Sequence, residues 1–449
     1  MDEQSLLIGR LVTAKEVNMT SQEIEKLPNL VRYSALTKTS SGYCCNRCGA
    51  IKPQDFYRNY CQCGQECVYC TRCLAFGKLR LCDKLYHLPA QDWEVNQAIS
   101  CQWEGELSIA QQQVADDLLA AVKHQRNHLV WAVTGAGKTE MMYPAITAVL
   151  RRGGRVGIAT PRVDVANELY LRLKVVFAQV DCLLLHGQSD DSYRLTPLMI
   201  CSTHQLVRFK EAFDLLVIDE IDAFPFYNNA MLGQAKDRAV KKIGSLLLLT
   251  ATPDKKLQKD YQNQLSILPA RYHRHALPVP KHYWVGDWQR AICKGRLPRQ
   301  LITLIQRYAK EQRRCLIFLP NIQLMKQCEM ICHQYFPDLR LASVSSQDEE
   351  RQSKVQAMRD EKYDFLLTTL ILERGVTFPA IHVIVLGSED ATFTTSALVQ
   401  ISGRAGRKPE CPTGEVSFLH EGMTRASKQA VKQIQQMNRL GRERGLIDD

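Results

Sequence analysis

Leu129-Val-Trp-Ala-Val133 is a short apolar run that passes directly into Thr134-Gly-Ala-Gly-Lys-Thr139, and a helical pattern starts near Glu140. The order strand, glycine-rich loop, Lys-Thr, helix is the context that a phosphate-binding loop requires. Gly135 and Gly137 let backbone amides converge on the β- and γ-phosphates, and the helix N-terminus adds positive potential. Lys138 supplies a mobile charge and Thr139 a hydroxyl for Mg²⁺. Thr134, Gly135, Ala136, Gly137, Lys138 and Thr139 therefore read as the phosphate-holding part of an ATP site. The loop departs from the strict consensus in one place, where Ala132 stands for the first glycine. A tight glycine turn is the plainer alternative.

A second signal decides between them. Leu215-Leu-Val-Ile-Asp219-Glu220-Ile221-Asp222 is an apolar strand that ends in acids. In a parallel sheet the C-terminal strand ends open onto one crevice, so Asp219 is expected to reach Mg²⁺ and Glu220 to orient or deprotonate the attacking water. Around these two stretches, apolar runs alternate with helical ones. Strands are expected at Leu129 to Val133, Val156 to Thr160, Leu183 to Leu185, Leu198 to Ser202, Leu215 to Asp219 and Leu246 to Thr250, with helices at Ala110 to His124 and Val163 to Phe177. Nearly all-apolar strands belong in a parallel sheet covered on both faces. Leu268-Pro-Ala and Leu277-Pro-Val-Pro-Lys281 then break the pattern, as a linker would. The alternation restarts with strands at Cys315 to Leu319, Phe365 to Thr369 and Val383 to Leu386, and with helices around Arg299 to Gln312 and Leu324 to Phe336. Two α/β domains in tandem are the simplest account.

In this serial order the chain resembles the two RecA-like cores of helicase superfamily two, over roughly residues 103 to 420. Trp103-Glu-Gly-Glu-Leu-Ser-Ile-Ala-Gln111 resembles the adenine-recognition element, which implies that Gln111 bonds the adenine edge and Trp103 packs nearby. Ala159-Thr-Pro-Arg162 and Ser202-Thr-His-Gln205 resemble strand-contacting motifs. Asp219-Glu-Ile-Asp222 resembles the DEAD-like motif, and Thr250-Ala-Thr-Pro253 the hydroxyl-bearing motif that couples hydrolysis to domain movement. Thr368 to Thr377, with Gly375, and Gln400-Ile-Ser-Gly-Arg-Ala-Gly-Arg407 resemble the last two motifs. By that resemblance Gly375 and Gln400 belong to the nucleotide site and Arg407 is the arginine finger, with Arg404 in support. An arginine finger contributes roughly 10³ to 10⁵ in rate where it has been measured in other phosphoryl-transfer enzymes.

The cysteines are unevenly placed: of 17, nine fall between Cys44 and Cys82. In a reducing compartment such a cluster reads as metal ligation, whereas isolated ones such as Cys182 and Cys315 read as small core residues. Cys45-Asn-Arg-Cys48 and Cys70-Thr-Arg-Cys73 have the spacing of one tetrahedral Zn²⁺ site. Cys61, Cys63 and Cys67 are further candidate ligands, able to form a second site with Cys82. Arg47, Lys52, Arg58, Arg72, Lys78 and Arg80 against Asp55 and Glu66 leave this stretch at +4 before metal, and Tyr57, Tyr60 and Tyr69 lie among them. That mixture suits stacking on single-stranded bases, or simply a fold-stabilising knob.

A cysteine-rich module before the motor, Tyr69-Cys-Thr-Arg-Cys-Leu-Ala-Phe-Gly-Lys78, Asp219-Glu-Ile-Asp-Ala-Phe-Pro225 and Thr368 to Pro379 together resemble the late-competence ComFA family of Gram-positive bacteria. The resemblance implies a single-strand-DNA-dependent ATPase at the inner face of the cytoplasmic membrane that helps to draw in transforming DNA. It implies as partners single-stranded DNA, a ComFC-type phosphoribosyltransferase-like protein, a DprA-type single-strand-binding protein and the membrane DNA channel. The rival from the same motor class is a PriA-type replication-restart helicase, but that family carries its zinc cysteines inside the second core. A rival of another class is a non-enzymatic zinc adaptor, against which stand Lys138, Thr139, Asp219, Glu220, Arg404 and Arg407.

The expected architecture is thus an N-terminal segment (1–40), a zinc-binding module (41–85), two RecA-like P-loop domains with parallel sheets (86–275 and 276–422) and a basic helix (423–449). The composition agrees with a folded chain that meets a polyanion. It is 45% hydrophobic and 23% charged, with a net charge of +11, which excludes a disordered chain and favours a nucleic acid or an anionic lipid surface. No run is long and apolar enough to span a bilayer, and the first residues lack the marks of a secretory signal, so the expected compartment is the cytoplasm.

Overall fold

Short strands come first. β1 (Val31–Ser34), β2 (Leu36–Thr39), β3 (Gly42–Cys45), β4 (Phe56–Tyr60), β5 (Glu66–Cys70), β6 (Leu79–Arg80) and β7 (Lys84–His87) build the N-terminal region. β2 and β3 form one antiparallel hairpin, β4, β5 and β6 a small antiparallel sheet, and β1 pairs with β7 so that the ends of the segment close on each other. Leu7, Val12, Val17 and Ile24 pack with Tyr86 and Leu88 in a core of their own. The stretch from Leu6 to Leu30, which carries no chemical signature, therefore contributes packing.

The mostly apolar runs that follow build one sheet, whose central strands are buried on both faces, as a strand with little polar alternation requires. They are β8 (His128–Ala132), β9 (Val156–Thr160), β10 (Cys182–Leu185), β11 (Leu198–Ser202), β12 (Phe213–Asp219), β13 (Val240–Thr250) and β14 (Leu265–Leu268), in the order β10-β11-β9-β12-β13-β8-β14. β9 to β13 run parallel, with Ser202 opposite Thr160 and Asp219 opposite Leu249. β8 follows the same direction as β14, the amides of Leu129 and Val133 bonding the carbonyls of Gln264 and Leu268. Thr160, the second residue of its quoted motif, and Ser202, Asp219 and Thr250, which open theirs, are thus strand ends on one edge of the sheet.

This computed structural model describes residues 3–189, 192–226, 229–375, 378–407 and 414–448. Val376 and Thr377, part of the sixth quoted motif, lie outside them. The chain divides into two units, Met1–Val130 with Thr139–Ser266, and Trp131–Lys138 with Ile267–Asp449. The second unit holds a six-stranded parallel sheet of β15 (Lys281–Trp284), β16 (Arg314–Phe318), β17 (Leu341–Val344), β18 (Phe365–Thr368), β19 (Ile381–Leu386) and β20 (Val416–His420), ordered β15-β20-β19-β16-β18-β17.

The expected strands and long helices are present with ends shifted by a few residues. β14, β15, β17 and β20 were not foreseen: each is only four or five residues long, and polar residues interrupt the apolar pattern. The Leu268-Pro-Ala break follows an edge strand, where a proline costs no ladder hydrogen bond. The basic tail is the helix Arg425–Glu443, and one side of it is packed. Ala430, Ile434 and Met437 are buried, and Asn438 brackets Leu277, accepting from its amide and donating to its carbonyl, both at 2.8 Å. Among the described residues no helix is long and apolar enough to cross a membrane.

Candidate nucleotide site and zinc centre

The acidic motif sits where β12 ends. Asp219 is the last residue of the strand, and Glu220 takes a left-handed backbone, φ +56°. That conformation costs a side-chain-bearing residue roughly 1–2 kcal/mol and concentrates at working sites, where it aims a side chain that a relaxed strand would turn elsewhere. Two residues on, the Asp222 carboxylate accepts a hydrogen bond from Thr250 Oγ1 at 2.6 Å on one oxygen and from Thr252 Oγ1 at 2.6 Å on the other. The Thr252 amide in turn donates to Thr250 Oγ1 at 2.9 Å. One charge therefore ties the end of β12 to the end of β13 through short, charge-assisted bonds.

The loop after β8 has the conformation its sequence asks for. Gly135 and Gly137 have φ of +79° and +74°, and residues in this left-handed region turn successive amides toward one side, the concavity that holds an anion. Ala132, in place of the consensus glycine, is fully buried at the end of β8 and fits there without a turn. Lys138 opens the short helix Lys138–Met141, so the loop residues fit a nucleotide's phosphates by backbone geometry as well as by charge.

Within the second unit, this loop meets the arginine motif. Gly403 follows the helix Thr395–Ser402, and a Cβ added there would fall 1.8 Å from Thr134 Oγ1, so only glycine permits the approach. A Cβ on Gly135 would stand 3.8 Å from Arg407 Nε and 3.5 Å from Arg271 Nε. Arg271 escaped the sequence reading. It is buried and donates to the carbonyls of Thr134 at 3.0 Å, Gly403 at 2.8 Å and Ala405 at 2.9 Å, and also to Gly406. Burial and neighbouring Arg407 lower its pKa to about 9. Its only signal in the sequence was a charged residue placed directly after Leu268-Pro-Ala. Arg404 is buried and donates to the Glu373 carbonyl at 2.9 Å. Gln400 is buried on the helix, and Gly375 has a left-handed φ of +79°. Asp219, Glu220 and Thr139 belong to the first unit.

Gln111 has a local task as well. Its Oε1 accepts from the Ser108 amide at 2.9 Å, and the Ser108 hydroxyl accepts from the Gln111 amide, a capping box that starts the helix Ile109–Lys123. Trp103 lies edge-on to Tyr143 with ring centres 5.8 Å apart, and both line a cavity of about 870 Å³ with Leu107 and Gln112.

The sulfurs of Cys45, Cys48, Cys70 and Cys73 all lie within 4.8 Å of one another, with Cys45–Cys73 at 3.7 Å and Cys48–Cys70 at 3.5 Å. Zinc–sulfur bonds of about 2.3 Å in a tetrahedron put sulfurs roughly 3.8 Å apart, so this donor set fits Zn²⁺. All four cysteines are buried. Hydrogen bonds from Cys45, Cys48 and Cys70, aided by the Arg47 guanidinium, pull the Cys73 thiol well below its ordinary pKa. Cys61, Cys63 and Cys67 are not part of this set; they gather with Cys82 in another, and Cys44 joins neither.

The cysteine module is bound into the first unit. Cys45, Cys48, Cys70 and Cys73 share one apolar cluster with Met231, Leu232, Ala235 and Phe213. Arg47 is buried and pairs with Glu16 at 3.0 Å, and Glu16 also pairs with Arg208 at 3.1 Å. Arg238, in the last turn of the helix Ala230–Ala239, donates to Val207 and Phe209 carbonyls and to those of Asn46 and Arg47 in the first knuckle. At the outer sheet, Tyr57 and Tyr60 are exposed, and Lys78 Nζ stands 3.9 Å above the Tyr69 ring.

Comparison with known proteins agrees with this organisation. Residues 1–87 match the Competence protein ComFA N-terminal domain, residues 104–255 the family described as type III restriction enzyme, res subunit, and residues 297–409 the helicase conserved C-terminal domain. The competence protein ComFA of Bacillus subtilis (strain 168) is 39% identical over 446 residues, covering 97% of this chain and 95% of that protein. Its counterpart in Streptococcus pneumoniae is also 39% identical, covering 96% of this chain and 98% of that protein. Among solved structures, the DEAD-box helicase Mss116 bound to ssRNA and UDP-BeF is similar with a TM-score of 0.55 at 18% identity, over 71% of this chain and 70% of its own. S. cerevisiae Dbp5 bound to RNA and ADP BeF3 gives 0.55 at 14% identity, over 74% and 88%. These two share the fold.

Proposed function

This chain belongs to the ComFA family of competence proteins, and from that membership and its own chemistry we propose that it hydrolyses ATP when bound to single-stranded DNA and uses the cycle to draw transforming DNA into the cell. The observation that carries the reading is the Asp222 carboxylate held by Thr250 and Thr252. It joins the strand that ends in the candidate hydrolytic acids to the neighbouring strand, so that a change beside Asp219 and Glu220 is passed on mechanically.

In this reading Thr134 to Lys138 hold the phosphates, Thr139 and Asp219 hold Mg²⁺, and Glu220 orients the attacking water. Mg²⁺, when bound, neutralises charge on the phosphate oxygens. Arg407 offsets charge on the terminal phosphoryl group, with Arg404, Gly375 and Gln400 supporting the site, and Trp103 and Gln111 receive the adenine. The +11 net charge supports a polyanionic track, and backbone contacts make binding independent of base sequence. Work at the inner face of the cytoplasmic membrane, with a ComFC-type protein, a DprA-type protein and the DNA channel as partners, belongs to the same proposal.

The test is ATP turnover with and without DNA. Single-stranded DNA should stimulate hydrolysis more than duplex does, Lys138→Ala should lower it by at least roughly 10²-fold, and cells carrying that variant should bind DNA at their surface without taking it in. Turnover indifferent to DNA, or normal DNA entry with Lys138→Ala, would overturn the proposal.

A further inference from the structure

We propose that Cys61, Cys63, Cys67 and Cys82 form a second four-thiolate zinc site that fastens the tip of the β4–β5 hairpin to the chain leaving β6. Their four sulfurs lie within 4.8 Å of one another, and Cys61 and Cys82 are 3.6 Å apart. That is the sulfur spacing of a tetrahedral zinc thiolate, roughly 3.8 Å, and far from the bond of about 2.05 Å that would mark a disulfide. The set converges on one point instead of separating into two pairs. This inference does not depend on the ATPase reading.

Three features of the backbone favour a built site over chance proximity. The first knuckle, Cys45-Asn-Arg-Cys48-Gly49, closes with the Gly49 amide donating to the Cys45 carbonyl at 2.8 Å, Gly49 having φ +72°. Cys61-Gln-Cys63-Gly64 repeats the device: Gly64 has φ +81° and its amide donates to the Cys61 carbonyl at 3.0 Å. Next, Cys67 and Cys70 stand three residues apart on β5, so the alternation of a strand sends them to opposite faces, one into each cluster. Finally, the Leu81 amide donates to the Val68 carbonyl at 2.8 Å, which holds Cys82 beside β5. The two sites are interleaved along the chain, with Cys61, Cys63 and Cys67 between the knuckles of the first site and Cys82 beyond both.

On the β4 side the hairpin has little else to hold it, since the apolar cluster is reached by Val68 and Cys70 of β5 and only by Phe56 of β4. Tyr57, Arg58, Asn59 and Tyr60 on β4 are all exposed, and Phe56 is only partly buried. A strand with so little buried apolar surface of its own is weakly held, and small elements of this kind are commonly stapled by a metal. Four thiolates at tetrahedral spacing suit Zn²⁺ or an iron–sulfur centre, and no other ligand type is in the set. Cys63 and Cys82 are exposed, whereas the first site is wholly buried, so the second should release its metal faster. With two such sites loaded, each at −2, the +4 of residues 44–82 is cancelled, and the hairpin offers rings more than net charge to a partner.

Metal content of the full-length protein tests this. Mass spectrometry of the purified chain should find two zinc ions, and Cys63→Ser/Cys82→Ser should find one. Zinc release to a chelator should follow two phases, the faster lost in the variant. Should the variant fail to fold, titration of metal-free wild-type protein with Co²⁺ should still saturate the tetrahedral thiolate absorption at two equivalents. One zinc ion per wild-type chain, iron in place of zinc, unchanged stoichiometry in the variant, saturation at one equivalent of Co²⁺, or a mass lower by two hydrogens from a disulfide in this set would each overturn the proposal.

Discussion

Replacing Arg238 with methionine asks whether the cysteine module is part of the first unit or merely hangs from it. The guanidinium donates to the Val207 and Phe209 carbonyls at 2.6 and 3.2 Å, and to the Asn46 carbonyl at 3.4 Å and that of Arg47. Burial lowers its pKa to about 10, and the sulfurs of Cys45 and Cys48 oppose that shift. Methionine keeps much of the stem's packing and removes every donor. Each hydrogen bond from a charged donor contributes about 1.5–3 kcal/mol net, and release of a buried charge offsets part of the loss. The expected cost is about 3–4 kcal/mol, within the range seen when one partner of a buried network is removed. At roughly 2–4 °C per kcal/mol for a unit of this size, Tm should fall by on the order of 10 °C. Arg238→Lys keeps the charge but presents a point donor where a planar fork served several carbonyls, so it should restore less than half. Scanning calorimetry reads the first quantity, and zinc transfer to a coloured chelator reads whether the knuckle loosens with it. If Arg238→Met melts within about 2 °C of the wild type and releases zinc no faster, the module is an appendage and the reasoning fails.

Three further outcomes follow from the same geometry. Stripping zinc from Cys45, Cys48, Cys70 and Cys73 should unfold the first unit together with the module, because structural zinc contributes about 10–16 kcal/mol and a domain's whole margin is about 5–15; calorimetry should show its cooperative transition gone. Asp222→Asn should cost about 2–3 kcal/mol, and a double-mutant cycle with Thr250→Val should give a coupling of about 1.5 kcal/mol or more, read by denaturant titration. Gly49→Ala should lose about 1–2 kcal/mol from its left-handed φ of +72°, plus the displacement of Gln234, whose Oε1 lies 1.7 Å from the added carbon; urea midpoints measure it.

The chemistry of the nucleotide site was legible because its signals are local. Gly135, Gly137, Lys138 and Thr139 stand within five residues, and Asp219-Glu220 ends a run whose apolarity alone makes it an interior strand. The two Cys-x-x-Cys knuckles were legible for the same reason, their spacing being set by a turn and a metal. Short edge strands such as β14 and β17 were not, since four residues carry too little periodicity to separate strand from loop.

What distance along the chain concealed is of another kind. Arg271 reaches carbonyls more than a hundred residues away on either side, and no neighbour in the sequence marks it. The division of eight of the nine thiols into two sets could be raised as a possibility but not assigned, because alternate faces of β5 separate Cys67 from Cys70 only once that strand is paired. The cysteine module, read from the sequence as a part of its own, shares its apolar cluster with the first unit. Local spacing was enough to nominate the loop that can grip a phosphate and the two knuckles that can grip a metal, since such ligands come together in tight turns. Which distant carbonyls an arginine satisfies, and whose core a cysteine joins, depended on the packing of whole sheets and helices, where partners are chosen by burial and shape and leave no pattern in the order of residues.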